Sequence, residues 1–130
     1  MKPRSGHCML SFNGKLYIFM GERSKSYLDD FVVYDCINRR ILYEGKCPGN
    51  GLFPRACLGV SNEAYLVGGI HYPESMNVRK ISGACWMFNM QTYEWRSAPE
   101  ILIPRFSHQI AFHEHKLYVF GGNDELENTD

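Results

Sequence analysis

Pro-Arg occurs three times in this chain, at Pro3-Arg4, Pro54-Arg55 and Pro104-Arg105, with spacings of 51 and 50 residues. After each pair comes an apolar stretch, then a second one that carries a tyrosine and ends in glycine. The second stretches read Lys15-Leu16-Tyr17-Ile18-Phe19-Met20-Gly21, Ala64-Tyr65-Leu66-Val67-Gly68-Gly69 and Lys116-Leu117-Tyr118-Val119-Phe120-Gly121-Gly122. Self-similarity at such a period signals one supersecondary unit repeated, each copy burying its faces against its neighbours. The tyrosines stand 48 and 53 residues apart, so the second repeat is short before its tyrosine and long after it.

Each repeat reads as four short strands. The segments are 4–8 residues long, rich in Val, Ile, Tyr and Phe, and bounded by Gly, Asn, Asp and Pro. No helical i, i+3, i+4, i+7 stripe is sustained. Strand one is expected near 7–12, 57–61 and 107–112. Asn13-Gly14 predicts a two-residue hairpin turn, because both central positions need φ > 0. Strand two ends at the glycines, strand three is expected near 30–35 and 83–89, and strand four near 39–44 and 93–97. Val33-Tyr34-Asp35 matches Met87-Phe88-Asn89, and six residues further on stand Ile41 and Trp95. Four antiparallel strands per repeat make one propeller blade, so the fold class is all-β, a partial β-propeller of about two and a half four-stranded blades. Residues 1–130 read as one unit, with blade 1 at 3–53, blade 2 at 54–103 and half a blade at 104–130. Asp130 lies as far past Gly122 as Asp29 lies past Gly21, so the chain is expected to stop where a further strand would start. Uncovered outer faces and an unpaired strand edge then make self-association an expectation.

The motifs resemble those of the kelch family, and in particular the propeller of BTB-kelch (kelch-like) proteins. The residues that carry the likeness are Pro-Arg before an apolar strand, Leu117 to Gly122, Tyr34-Asp35, and Tyr93-Glu94-Trp95 before Ala98-Pro99. Met20-Gly21 departs from the expected glycine pair, and Ile41 stands where tryptophan is expected. The resemblance implies a protein-binding module, with an N-terminal BTB domain engaging a cullin-3 ubiquitin ligase while the propeller holds the substrate. It also admits an actin-associated kelch protein and, from another class, a kelch-like copper oxidase whose ligands are tyrosines and histidines. No ligand cluster is visible for that enzyme, so the reading is of a protein that is not an enzyme and has no cofactor and no metal.

Residues repeated at one phase point to structure, since packing between blades recurs while a ligand meets different residues in different blades. Arg4, Arg55 and Arg105 are therefore expected to tie neighbouring blades by hydrogen bonds, Gly21, Gly69 and Gly122 to allow a φ > 0 turn, and Tyr17, Tyr65, Tyr118 and Trp95 to fill space between blades. Residues that vary between copies are the better recognition candidates. The resemblance places the ligand face at the loops after strand two, 22–29, 70–82 and 123 onward, and at the second position past each arginine, Gly6, Cys57 and Ser107. The candidate partner-binding residues are Glu22, Arg23, Tyr27, Cys57, His71, Tyr72, Met76, Arg79, Ser107 and Asn123. Aromatic, Met and Arg side chains such as Tyr72, Met76 and Arg79 suit interface anchors.

Three other signals point elsewhere and are set aside. His113-Glu114-His115 has the look of a metal triplet, but it lies at the strand one to strand two turn and no third ligand is placed. His7 and His108 share a phase and read as one packing role, without the nucleophile and carboxylate of a triad. Cys57 near Arg55 could have a lowered pKa; an inert small residue is the plainer reading. The five cysteines show no C-x-x-C spacing and are expected to be thiols in a reducing compartment. Fourteen Lys and Arg balance fourteen Asp and Glu, which argues against nucleic acid or an anionic membrane as the main partner. No leader-like or membrane-spanning apolar run is seen, so a cytoplasmic location is the expectation.

Overall fold

Two-residue turns and period-two alternation generate the sheets. The computed structural model describes residues 3–23, 26–48, 51–52, 56–71, 80–106 and 108–124, with the backbone alone for 22, 26, 27, 51, 52, 56 and 71. In the first repeat the strands are β1 (Cys8–Phe12), β2 (Lys15–Phe19), β3 (Glu22–Arg23), β4 (Ser26–Tyr27), β5 (Asp30–Asp35) and β6 (Arg40–Lys46). The second contains β7 (Gly51–Leu52), β8 (Ala56–Val60), β9 (Glu63–Val67), β10 (Ile70–His71), β11 (Lys80–Ile81), β12 (Cys85–Asn89) and β13 (Trp95–Ala98). The third contains β14 (Gln109–His113) and β15 (Lys116–Phe120). No helix occurs among the described residues, and none is long and apolar enough to cross a membrane.

The main sheets run β1-β2-β5-β6 and β8-β9-β12-β13, every neighbour antiparallel, and β14-β15 is a hairpin. This is the expected all-β series of blades, two complete and one begun. Asn13 (φ 52) and Gly14 (φ 76) form the expected turn, and Glu114 (φ 48) and His115 (φ 65) take the same left-handed pair without a glycine. The Asp35 and Asn89 positions also have a physical reason. Asp35 accepts the amides of Ile37 (2.9 Å) and Asn38 (3.2 Å), and Asn89 accepts those of Gln91 (2.8 Å) and Thr92 (3.1 Å). Each side chain thus mimics a backbone turn at the strand three to strand four reversal. The Asn38 hydrogen bonds hold the Asp35 carboxyl below its usual range.

The core lies between the first two blades. Cross-strand pairing puts Cys8, Leu10, Tyr17, Phe19, Phe31 and Val33 on one face of blade 1. That face meets Ala64, Leu66, Phe88 and Trp95 of blade 2. The rings interlock edge-on, with centroids 4.8 Å apart for Phe31–Phe88, 5.5 Å for Phe19–Phe88 and 5.8 Å for Phe19–Trp95. Such pairs contribute about 0.5–1.5 kcal/mol each beyond area burial. The opposite face of blade 2 meets the hairpin, where Tyr65 stacks on Phe112 at 6.0 Å.

Strand two of each of the first two blades therefore turns its tyrosine toward the following blade. Tyr17 and Phe19 are 1% and 0% exposed, while Tyr118 and Phe120, their counterparts in the hairpin, are 40% and 57% exposed. On the outer face of blade 1, Leu16, Ile18 and Tyr34 hold the register positions by which Ala64, Leu66 and Phe88 receive blade 1. They line a recess of about 410 Å³ together with Pro3, Arg4, His7 and Met9. The expected space-filling role holds for Tyr17, Tyr65 and Trp95, whereas Tyr118 fills no space between blades among the described residues.

The arginine expectation needs a correction. Arg4 donates to the carbonyl of Met20 (3.0 Å) and, through both terminal nitrogens, to the Asp30 carboxylate (2.9 and 3.2 Å). Arg105 donates to the carbonyls of Gly121 (2.9 Å) and Ile103 (3.2 Å). Apart from the local Ile103 carbonyl two residues before Arg105, the acceptors belong to the arginine's own repeat, so these arginines pin the incoming segment to its own blade rather than joining two blades. Neighbouring blades are joined instead by Tyr17 Oη to the Met90 carbonyl (2.8 Å) and by the Gly69 amide to the Arg105 carbonyl (2.9 Å). Arg55 lies outside the described residues.

Candidate functional site

Strands β2, β9 and β15 each run from a two-residue turn to a pair of left-handed residues. These pairs are Met20 (φ 57) with Gly21 (φ 113), Gly68 (φ 70) with Gly69 (φ 101), and Gly121 (φ 66) with Gly122 (φ 83). They throw the chain outward at one common end of the blades, the loop end. A Cβ at Gly21 would sit 2.8 Å from the Ser5 carbonyl oxygen, and one at Gly122 2.5 Å from that of Phe106. Only glycine allows so close an approach at those two positions. Met20 accepts the left-handed conformation because it is held from both sides. Its amide donates to the Asp30 carbonyl at 2.8 Å, and its own carbonyl receives Arg4. Arg4 is nearly buried, with a side chain 6% exposed, and its bidentate pairing with Asp30 provides the partner such a charge requires.

Past the glycines each repeat continues into a short pairing of its own, with different side chains. Glu22 pairs with Tyr27 and Arg23 with Ser26 in the β3–β4 ladder. Ile70 pairs with Leu52 and Ile81, and His71 with Gly51 and Lys80. Asn123 bridges Phe106 in the third repeat. Of the candidate residues, Glu22, Arg23, Tyr27, His71 and Asn123 thus stand at the loop end, with Arg23 and Asn123 exposed. The ladders of the first and second repeats are separate sheets. Tyr72, Met76, Arg79 and Ser107 lie outside the described residues.

Cys57 is placed elsewhere than its spacing from Arg55 suggests. Arg4 and Arg105 each stand four residues before strand one, whose first residues are Cys8 and Gln109, but Arg55 directly precedes Ala56. Leu52, three residues before Arg55, occupies the ladder position that Phe106 holds one residue after Arg105. Cys57 pairs with Leu66 as Met9 pairs with Ile18, so it is an interior position of strand one and not the counterpart of Gly6 and Ser107. It is half-buried against the core between blades 1 and 2.

Further charged residues gather at the loop end. Lys80 and Asp124 are exposed, and Asp29 and Lys46 form an exposed pair at 2.8 Å, the carboxylate raising the Lys46 pKa. Their spacing in sequence carries no signal, because strand pairing alone brings them to one end. At the opposite end, Arg96 grips both Glu63 oxygens at 2.8 and 2.9 Å beside a recess of about 240 Å³ lined also by Met87, Asn89, Glu94 and Trp95. His113 and Glu114 are exposed there, 3.6 Å apart. Among the described residues no three His, Cys, Asp or Glu side chains gather as metal ligands.

The sister histidines diverge. His7 is exposed, whereas His108 is buried with its ring packed against Gly68, where a Cβ would come within 2.6 Å of Cε1. Neither ring nitrogen of His108 has a well-formed hydrogen bond. Burial pushes its pKa down, against the Val67 carbonyl, which favours the proton.

Comparison with known proteins gives a consistent picture. A family model described as the KLHDC2/KLHL20/DRC7 Kelch-repeats domain matches residues 1–122. An F-box/kelch-repeat protein of Arabidopsis thaliana is 30% identical over 76 residues, which cover 58% of this chain and 18% of that protein. Kelch-like protein 38 of Danio rerio is 26% identical over 91 residues, covering 70% of this chain and 15% of the relative. Among solved structures, that of YjhT superimposes with a TM-score of 0.76 at 18% identity, covering 93% of this chain and 35% of the other. The chain thus spans less than a fifth of the curated relatives it matches.

Proposed function

Because the chain belongs to the kelch-repeat family, we propose that it is a protein-recognition segment of a β-propeller, working as the substrate-holding part of a BTB-kelch adaptor for a cullin-3 ubiquitin ligase in the cytoplasm. Kelch repeats form protein-interaction modules, and the reading here is of binding rather than catalysis. One observation carries it. The repeats share a backbone frame up to the glycines, and immediately beyond it the side chains differ, Glu22-Arg23 against Ile70-His71 against Asn123-Asp124. A constant scaffold presenting variable loops is how recognition surfaces are built. Tyr72, Met76 and Arg79, in the longest of these loops, offer an aromatic, a thioether and a guanidinium as anchors.

The test is affinity capture with chemical cross-linking from cells that express the full-length protein. Cross-links from a substrate protein to 22–29 and 70–82, with cullin-3 in the same complex, are the expected result. Replacing Tyr72, Met76 and Arg79 with alanine is expected to remove the substrate and keep the cullin. Substrate capture undiminished in that variant overturns this face, and a complex without cullin-3 overturns the ligase assignment while leaving the binding module.

A further inference from the structure

We propose that Cys8 and Cys57 form a redox-active dithiol across the seam between the first two blades, converted to an intrachain disulfide by hydroperoxides. The placement follows from strand geometry. Strands β1 and β8 lie side by side at the seam, and a Cβ on Gly59 would meet Leu10 Cδ1 at 3.8 Å. Leu10 thus packs over the Gly59 position of the partner strand at ordinary contact distance. Two residues back along each strand stand Cys8 and Cys57, on the same two facing surfaces, because Cys8 and Leu10 pair with Phe19 and Tyr17 while Cys57 and Gly59 pair with Leu66 and Ala64. Strands β1 and β8 pack together and Cys8 is the neighbour that acts most strongly on the Cys57 thiol, so Leu10–Gly59 and Cys8–Cys57 are successive rungs of one contact.

The two sulfurs differ in a useful way. Cys57 is half-buried and Cys8 buried. The bond from Cys8 and a second from the Met9 backbone hold the Cys57 thiol below its ordinary range, outweighing the opposite effect of burial. A thiolate with access to solvent is the attacking partner, and a buried neighbour within reach resolves it. The Cys57 thiolate attacks the hydroperoxide, the O–O bond breaks, an S–O bond forms, and the leaving oxygen departs with a proton as water or an alcohol. Cys57 is oxidised by two electrons to a sulfenic acid and the peroxide is reduced by two. Cys8 then attacks the Cys57 sulfur, the S–S bond forms, and the S–O bond breaks to release water that carries the Cys8 proton. With hydrogen peroxide the balance is two thiols and one peroxide to one disulfide and two waters. The product staples the inner strands of two blades, and thiol exchange reverses it.

Treating the purified chain with one equivalent of hydrogen peroxide, alkylating the remaining thiols and mapping peptides without reductant tests this. The expected product links the Cys8 and Cys57 peptides with loss of two hydrogens and lowers the thiol count from five to three, with a higher melting midpoint. Cys8→Ser is expected to stop at a sulfenic acid on Cys57 that dimedone traps, and Cys57→Ser to leave Cys8 reduced. The wild-type measurement stands alone if a variant fails to fold. Oxygen added at Cys57 without the link, a link through the exposed Cys36 instead, or the same spread of links in denaturant as in buffer overturns the proposal.

Discussion

The hydroxyl of Tyr17 in the first blade donates to the carbonyl of Met90 in the second at 2.8 Å, inside the aromatic seam. One side chain thus fills the space between blades and satisfies a buried acceptor across it. Tyr17→Phe keeps the ring and strands the carbonyl, at an expected cost of about 1–3 kcal/mol. Tyr17→Ala adds a cavity and is expected to cost about 3–5 kcal/mol, both read from denaturant melts. Burial, then the neighbouring Tyr93, pushes the Tyr17 pKa up to about 12. The unfolded chain releases this proton near pH 10, so the native state binds more protons above that point. Stability is therefore expected to fall as pH rises from about 10 to 12, less steeply in Tyr17→Phe.

Tyr118 offers the contrast. It holds Tyr17's place in the third repeat but is 40% exposed, with Phe120 stacked beside it at 6.2 Å. Tyr118→Ala in the 130-residue chain is expected to cost well below half of what Tyr17→Ala costs. The exposed pair and the strand edge of β15 are expected to drive self-association, so light scattering should find species above 15.0 kDa. Serine at 118 and 120 should shift them toward monomer. A 15.0 kDa wild-type species with a cooperative melt would refute this.

At Gly68 the second repeat lies directly against the third. It has φ 70, and a Cβ there would lie 2.6 Å from both the Arg105 carbonyl oxygen and His108 Cε1. Gly68→Ala is expected to destabilise by about 1–3 kcal/mol, from left-handed strain and displacement of the neighbouring repeat. Gly121, also left-handed, has no atom near its Cβ position. Alanine there should cost the conformational part alone, and equal losses at both positions in thermal melts would contradict the contact.

His108 predicts a pH effect of definite sign. Burial lowers its folded pKa beneath the ordinary value of 6.5, so the unfolded state binds the extra proton first. Stability from this group is fully present above about pH 6.5 and is lost as pH falls through the folded pKa. A melting midpoint that drops between pH 7 and 5, and drops less in His108→Gln, is the expected observation.

The fold was legible because its signals are local. Asn13-Gly14 makes a hairpin by itself, and the Asp35 and Asn89 side chains close their turns through amides two and three residues away. Strand positions followed from these punctuation points and from the tyrosine phase. The candidate site was legible only in part. The loops were identified from the family resemblance together with their variability between repeats, and Arg23, His71 and Asn123 do stand at one end. Cys57 was misphased because counting from Pro54-Arg55 assumes that the incoming segment has constant length, and in the second repeat it does not.

The sequence by itself determined the repeat, the four-stranded blade and the glycine that reverses the chain, since each rests on neighbouring residues and on a period that packing must respect. Only the tertiary structure decided which partners the repeated residues take. That Arg4 binds Asp30, that Tyr17 reaches Met90 and that Cys57 faces Cys8 depend on which strands lie side by side. Nor is the difference between buried Tyr17 and exposed Tyr118 written in either residue. Both sit in the same local sequence, and burial is a property of the neighbouring surface, which exists for one and not for the other within these residues.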